Sequence, residues 1–203
     1  MTKVHVESYM PHPWHGIKHG HNSPSNVNAF IEMTPDDSVK YEIDKKTGFL
    51  KVDRPQKFSN IVPALYGFIP QTYCDKKVAE FCQLNGDQDP LDICVLTERN
   101  INHGNIIVPA LPIGGFRMID GGEADDKIIA ILKGDEVFSQ WSTIEQCPDS
   151  LINRLKHYFL TYKQMPGEDK LKNTEITHTY SKDEAYEVIE RSIEDYDNQF
   201  IRS

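Results

Sequence analysis

Asp87, Asp89 and Asp92 fall within the six residues DQDPLD, with no lysine or arginine among them. Carboxylates held that close raise one another's pKa unless cations intervene. A solvated acidic turn would tolerate the repulsion, but this stretch runs directly into the apolar ICVL (93–96), which places it at a strand end. Pro90 also fixes the backbone at the bend. A second acidic group, Asp120, Asp125 and Asp126, lies in the Gly-rich DGGEADDK (120–127) between two further apolar runs. Two carboxylate sets carried on separate strand ends suit hard, oxygen-seeking cations such as Mg²⁺ or Mn²⁺. An EF-hand does not account for them. Asp87, Asp89 and Glu98 fit its first, third and twelfth positions, but Leu91 stands at the fifth, Asp92 replaces the required glycine at the sixth, and a strand follows.

The basic residues fit the same chemistry. Lys40, Arg54, Lys127 and Lys163 each stand beside an acidic or tyrosine neighbour, in KYE, VDR, DDK and YK. Taken singly, each reads as a surface charge or a salt-bridge member. Taken with cations and tyrosine hydroxyls, they make a clamp for phosphate oxygens. Phosphoryl transfer calls for that combination, because the protein's task there is to position groups and neutralise charge. There is no G-x-x-x-x-G-K-[ST] phosphate loop and no G-x-S-x-G nucleophile elbow.

The elements that must position these groups are legible in part. Residues 1–28 are polar and rich in His, Pro, Ser and Asn, and read as an extended arm ahead of a single domain at 29–203. VKYEID, the turn KKTG and FLKVDR (39–54) predict a hairpin with Lys40 and Glu42 on one face and Tyr41 and Ile43 on the other. Residues 58–73 are aromatic and Pro-punctuated and read as irregular, and CDKKVAEFCQL (74–84) holds a short helical turn. ICVL, NIIVPALPIGGFRMI and KIIAIL predict buried strands. Leu151, Leu155, Tyr158, Phe159 and Tyr162 recur at helical spacing. Ser181 and Glu184 have capping-box spacing ahead of a second helix whose face is Ala185, Val188, Ile189, Ser192, Ile193 and Tyr196. Strands followed by helices predict an α+β fold with a mostly antiparallel sheet or small barrel.

Composition narrows the partners. The 203 residues suffice for one sizeable core, and the net charge of −9 argues against a nucleic-acid backbone as partner. No apolar run approaches the ~20 residues of a membrane span, and the first residues lack the apolar core of a signal peptide. Four cysteines without C-x-x-C pairing read as reduced thiols in a cytoplasmic setting, with Cys94 a buried, inert thiol.

At this point the residues resemble the family I soluble inorganic pyrophosphatases. The D-x-D-P-x-D signature of that family, with a following apolar residue, is met in full by Asp87 to Ile93. The similarity extends from about residue 30 to 165, through Glu32 in FIEMTP, Lys40 and Glu42 in KYEID, Arg54 in KVDR, Tyr66 in YGFIP, Asp120, Asp125 and Lys127 in MIDGGEADDK, and Tyr162 with Lys163 in HYFLTYK. HPWHG (12–16) is similar to a segment of plant-type members. The resemblance implies a five-stranded, OB-like barrel flanked by C-terminal helices, and hydrolysis of pyrophosphate to two phosphates with several Mg²⁺ ions. It implies that Asp87, Asp92 and Asp125 hold a first metal, with Asp92 shared with a second and a hydroxide-like water between the two. On the same resemblance, Asp89 would act as general base or orienting acceptor for that water. Asp120 with Asp125, and Glu42 with Glu32, would serve the metals that arrive with substrate, and Lys40, Arg54, Tyr66, Lys127, Tyr162 and Lys163 would grip the phosphates. The resemblance also implies a homo-oligomer, dimer or hexamer. Two departures stand out. Val62 and Leu65 replace the tyrosine and asparagine of the family's Tyr-Pro-x-Asn-Tyr-Gly, and the connection before Asp87 is longer, which reads as a surface excursion ahead of an oligomer contact or a lid.

Two rival readings are a two-metal phosphohydrolase of nucleotides and a non-catalytic cation- or phosphate-binding protein that keeps the fold. The first lacks a base-stacking aromatic cluster beyond the tyrosines and a Nudix-like glutamate-rich helix. Against the second, every charged site position is present. His5, His12, His15, His19 and His21 invite a zinc reading, but their irregular spacing in a Pro-rich arm favours a solvated segment.

Overall fold

The computed structural model describes residues 11–163 and 174–201. Five strands close into a barrel: β1 (Val27–Met33), β4 (Leu65–Phe68), β6 (Asp92–Leu96), β7 (Ile106–Asp120) and β9 (Lys127–Leu132). Around the ring β1 pairs with β4, β4 with β6, β6 with β9, β9 with β7, and β7 again with β1. Within this ring of described strands the β6–β9 pair is parallel and the other four are antiparallel. This is the small, mostly antiparallel barrel expected of the chain. Two short strands, β5 (Asn85–Gly86) and β8 (Glu123–Ala124), extend the sheet, and β2 (Val39–Ile43) with β3 (Leu50–Pro55) forms the predicted hairpin, with Lys40 opposite Arg54.

Strand alternation sorts the side chains into two cores. Ala29, Ile31, Leu65, Ile93, Val95 and Ile128 fill the barrel interior, together with Ala185, Val188 and Ile189 of α3 (Lys182–Tyr196). Their neighbours one residue on, Cys94, Leu96, Ile129 and Ile131, point outward beneath Ile152, Leu155, Tyr158 and Phe159 of α2 (Asp149–Thr161). Each buried Val, Leu or Ile among them contributes about 1.5–3 kcal/mol, so the barrel wall is anchored from both sides. Gly67 marks its tightest crossing: a Cβ there would lie 1.8 Å from the Phe30 carbonyl oxygen.

Several expectations are corrected. Residues 58–73 are not irregular throughout, because Leu65–Phe68 supply barrel strand β4. An unforeseen strand, β10 (Thr174–Ser181), lies between the two helices and pairs with β7. Ser181 is the N-cap of α3, but its side chain makes no capping bond, and Glu184 turns instead to Arg117 at 2.9 Å. The segment 74–84 is not a surface excursion. It contains α1 (Lys76–Ala79), buries Cys74 and Val78 in the interior core, and lends Phe81 to the guanidinium groups of Arg117 and Arg191. Asp195 accepts backbone N–H bonds from Asp75, Lys77 and Val78 at 3.0–3.2 Å, which ties this segment to α3. All four cysteines are free thiols, and burial pushes Cys94 well above the ordinary thiol range.

The N-terminal residues 11–26 have no helix or long strand, yet they are not a solvated segment. Trp14 is 4% exposed and packs with Tyr73 and Tyr196, and its indole N–H donates to the Thr72 carbonyl at 2.8 Å.

Candidate active site

The outer face of the barrel carries the site. Because strand side chains alternate, Tyr66 of β4, Asp92 of β6 and Lys127 of β9 emerge on this face, with Asp92 directly opposite Lys127 in the parallel pair. The phenol of Tyr66 donates to Asp92 Oδ2 at 2.6 Å, and the Lys127 ammonium donates to both Asp92 Oδ2 and Asp125 Oδ1. The other walls of the cleft are the β2–β3 hairpin, the loop 87–90 and the end of α2.

The cleft has a volume of about 220 Å³. Twelve of the thirteen expected site residues line it: Asp87, Asp89, Asp92, Asp120, Asp125, Glu32, Glu42, Lys40, Tyr66, Lys127, Tyr162 and Lys163. Arg54 does not. It stands at the rim, paired with Asp53 and 5.9 Å from the centre of the Tyr162 ring. Asp126, grouped with Asp120 and Asp125 on sequence, faces away from the cleft. It is one residue out of phase with Asp125 and Lys127, and it pairs with the buried Arg117 at 3.2 Å. Burial, against the pull of Arg117, raises its carboxyl to about 6.

Three polar residues line the cleft that sequence reasoning left out of the site: Lys45, Glu123 and Tyr158. Lys45 projects from the hairpin turn onto Asp89, forming an ion pair with its Oδ1. Lys45 and Glu123 sit in or beside turns, where no periodicity points at them. Tyr158 was assigned to the helix core. Its hydroxyl accepts a 3.1 Å bond from Gln56, and its ring stacks on that of Tyr162.

Loop 87–90 is held by its own backbone. Asp89 N–H donates to Asp87 Oδ1 at 3.0 Å, the Asp89 carbonyl accepts from Cys74 N–H at 2.8 Å, and Leu91 N–H donates to the Thr72 hydroxyl at 2.9 Å. Gln88 adopts a left-handed conformation, φ 61°, which turns the two flanking aspartates to the same cleft.

The charge balance is strongly negative. Eight carboxyl groups line the cleft against four lysines, an excess of four negative charges when all ionise. Burial, then repulsion by Asp125, pushes Asp87 far above the ordinary carboxylate range. Burial also raises Asp89 and Asp125, and it takes Glu32 to about 8 although Glu32 Oε1 accepts from Ile43 N–H at 2.8 Å. Asp120 is the exception. Burial works against its ionised form, but hydrogen bonds from Lys163 and Thr174 outweigh it and hold the carboxyl low. Lys127, despite complete burial, is held firmly protonated by Asp125 and Asp92.

Among the described residues no three His, Cys, Asp or Glu side chains are gathered closely enough to hold an ion as they stand; the Lys127 ammonium lies between Asp92 and Asp125. The donor set nevertheless fits hard divalent cations. It is all oxygen, it is anchored on strand ends, and its surplus charge is uncompensated by protein cations.

Comparison with known proteins agrees with this geometry. A family profile described as inorganic pyrophosphatase matches residues 29–197. The inorganic pyrophosphatase of Chlamydia caviae is 51% identical over 201 residues, covering 94% of this chain and 93% of its own. Soluble inorganic pyrophosphatase 1 of Arabidopsis thaliana is 33% identical over 196 residues, covering 97% and 85%. Among solved structures, the inorganic pyrophosphatase from Thermus thermophilus superposes with a TM-score of 0.77 at 26% identity, covering 89% of this chain and 96% of that one. A barrel of this topology, a carboxylate-rich cleft on its outer wall and these likenesses lead to one conclusion: the chain belongs to the inorganic pyrophosphatase family, hydrolases of a phosphoric anhydride.

Proposed function

We propose that the chain hydrolyses inorganic pyrophosphate to two phosphates with Mg²⁺, or Mn²⁺ in its place, at the outer-wall cleft. The observation that carries this reading is the convergence of twelve expected site residues on one cleft whose carboxylates outnumber its lysines by four. Asp87, Asp92 and Asp125 would hold a first cation and Asp92 would also serve a second, while Asp120, Glu42 and Glu32 would serve those that enter with substrate. When bound, divalent cations supply the positive charge that phosphate oxygens require and make a nearby water acidic enough to lose a proton at neutral pH.

The protein's own groups do the rest. Lys40, steadied by Glu42 at 3.1 Å and Asp53 at 3.3 Å, presents a charged ammonium to the substrate, and Lys163 does so from the opposite wall. Arg54 closes from the rim. Tyr66 and Tyr162 offer hydroxyls, and Lys127 neutralises charge on the leaving phosphate. Asp89 is the general base or orienting acceptor for the attacking water, set at the cleft mouth by its backbone bonds to Asp87 and Cys74. Residues 29–203 form the catalytic unit, and the described residues ahead of it pack onto it closely, with Trp14 buried and Val27 and Asn28 already in barrel strand β1. The chain works as a homo-oligomer, dimer or hexamer, in the cytoplasm. Its charge of −9 disfavours nucleic acid as a partner, and no described helix is long and apolar enough to cross a membrane.

The test is phosphate release from pyrophosphate, ATP and tripolyphosphate with Mg²⁺ or Mn²⁺. Release from pyrophosphate foremost is expected. Release from ATP alone would favour a nucleotide phosphohydrolase, and inactivity with every cation would end the enzymatic reading.

A further inference from the structure

HPWHG belongs to no wall of the cleft, yet every one of its residues makes a specific contact. His12 Nδ1 faces the backbone N–H groups of Trp14 (3.2 Å) and His15 (3.4 Å), so it must be the acceptor. The neutral ring therefore carries its proton on Nε2, which donates to the Lys45 carbonyl at 3.2 Å. Pro13 and His12 press on Gly48 of the same turn, where φ is 74° and a Cβ would lie 2.7 Å from the proline ring. Trp14 is buried and bonded to the Thr72 carbonyl. His15 Nδ1 lies 2.8 Å from the Tyr196 hydroxyl of α3, and the His15 carbonyl accepts from the Gln71 side chain at 2.9 Å. Gly16 closes the turn with an N–H bond to the His12 carbonyl at 2.7 Å.

The segment thus joins two cleft-bearing pieces of chain. One is the turn that carries Lys45, whose ammonium pairs with Asp89. The other is Thr72, whose hydroxyl receives Leu91 N–H at the end of the aspartate loop. We propose that HPWHG is a positioning brace, in which His12 fixes the Lys45 turn so that the Lys45 ammonium holds Asp89 in its working orientation. The brace rests on the reading of Asp89 as the group that orients water. His12 touches neither substrate nor reacting atoms and acts only through Lys45.

The experiment is a double-mutant cycle on pyrophosphate hydrolysis with saturating Mg²⁺, using His12→Ala, Lys45→Ala and the pair. One hydrogen bond of ordinary net strength corresponds to about fivefold in rate. Each single variant is expected to lower kcat by about that factor, and the pair by no more than Lys45→Ala alone. His12→Gln, whose amide can donate to the Lys45 carbonyl, is expected to recover kcat. Wild-type kcat in His12→Ala, or losses that multiply in the pair, would overturn the brace. Asp89→Asn is measured alongside. Full activity there would overturn the reading of Asp89, whereas an inactive Asp89→Asn with multiplying losses overturns the brace alone.

Discussion

The Tyr66 phenol and the Asp92 carboxylate meet across adjacent barrel strands, O–H to Oδ2 at 2.6 Å, on the face opposite the barrel interior. Burial and the charges of Asp92 and Asp125 push the phenol well above its ordinary pKa, so it remains a donor across the working pH range. Its bond restrains one oxygen of Asp92 and leaves the carboxylate's remaining lone pairs for Lys127 and a cation.

Tyr66→Phe removes that donor without changing the shape of the wall. A hydrogen bond to a charged group contributes about 1.5–3 kcal/mol to stability, so the melting temperature is expected to fall by about 3–12 °C, and kcat/KM for pyrophosphate to fall with it because Asp92 has lost its restraint. Steady-state kinetics with thermal unfolding checks this. An unchanged kcat/KM would mean that Asp92 needs no such restraint.

Lys127 is the sole lysine paired to Asp92 or Asp125 among the described residues, and its side chain is only 4% exposed. Lys127→Met leaves two largely buried carboxylates facing each other without a cation. Breaking a buried pair costs about 3–5 kcal/mol, and the loss is expected without divalent cations and to shrink as Mg²⁺ is added. Denaturant unfolding at several Mg²⁺ concentrations reads both halves, and a loss of stability indifferent to Mg²⁺ would count against cation binding at these two carboxylates.

The barrel strands were legible where continuous Ile and Val runs reported burial on both faces, as in β6, β7 and β9. β4 was hidden because only four residues between Pro63 and Pro70 are strand, too few for a period. β10 was hidden because one face stays exposed and its sequence, TEITHTYS, is polar. Asp126 was misassigned because composition groups neighbours, whereas a strand separates them: one residue of phase turns it to Arg117 and leaves Asp125 and Lys127 in the cleft. The cleft residues themselves were found by type and by resemblance, since aspartates at strand ends carry a chemical signal. Lys45 carried none, as its place is decided by the hairpin turn and by a contact 44 residues away.

Val62, where the family has tyrosine, is wholly buried in the outer core with Ala64 and Cys94, and it does not line the cleft. Val62→Tyr adds a ring to a filled core, which costs about 1–3 kcal/mol. Lower stability without a gain in kcat/KM is the expected result of paired unfolding and activity measurements. A faster enzyme of unchanged stability would show that the surrounding core opens to admit the phenol.

Acid is expected to loosen the N-terminal segment. Burial, and next the neighbouring His12, lower the pKa of His15, and burial lowers that of His19 against the pull of Asp197. Above about pH 6.5 both histidines are neutral in folded and unfolded chains and contribute no pH dependence. Below it the unfolded chain takes protons first, so stability falls as pH drops towards the depressed folded values and then levels. The raised carboxyls of Glu32, Asp87 and Asp126 work in the opposite sense as pH falls, so the histidine contribution is read as a difference. From pH 8 to 5 the wild-type melting temperature is expected to drop relative to that of His15→Gln, which keeps a polar partner for Tyr196 but cannot titrate. Equal slopes in the two proteins would place the acid sensitivity elsewhere.

Asp89→Asn tests the proposed general base itself. Asparagine keeps the size of the side chain and leaves the backbone bonds to Asp87 and Cys74 in place, so the loop geometry has no reason to change. What disappears is the charge that pairs with Lys45 and that, on the proposed reading, accepts a proton from water. Loss of a positioned general base costs about a hundred- to ten-thousandfold, and kcat is expected to fall by that order while Mg²⁺ still raises the melting temperature. The two readouts separate the roles: a variant that keeps both activity and the Mg²⁺ response moves the base to another carboxylate, and one that loses both makes Asp89 a ligand.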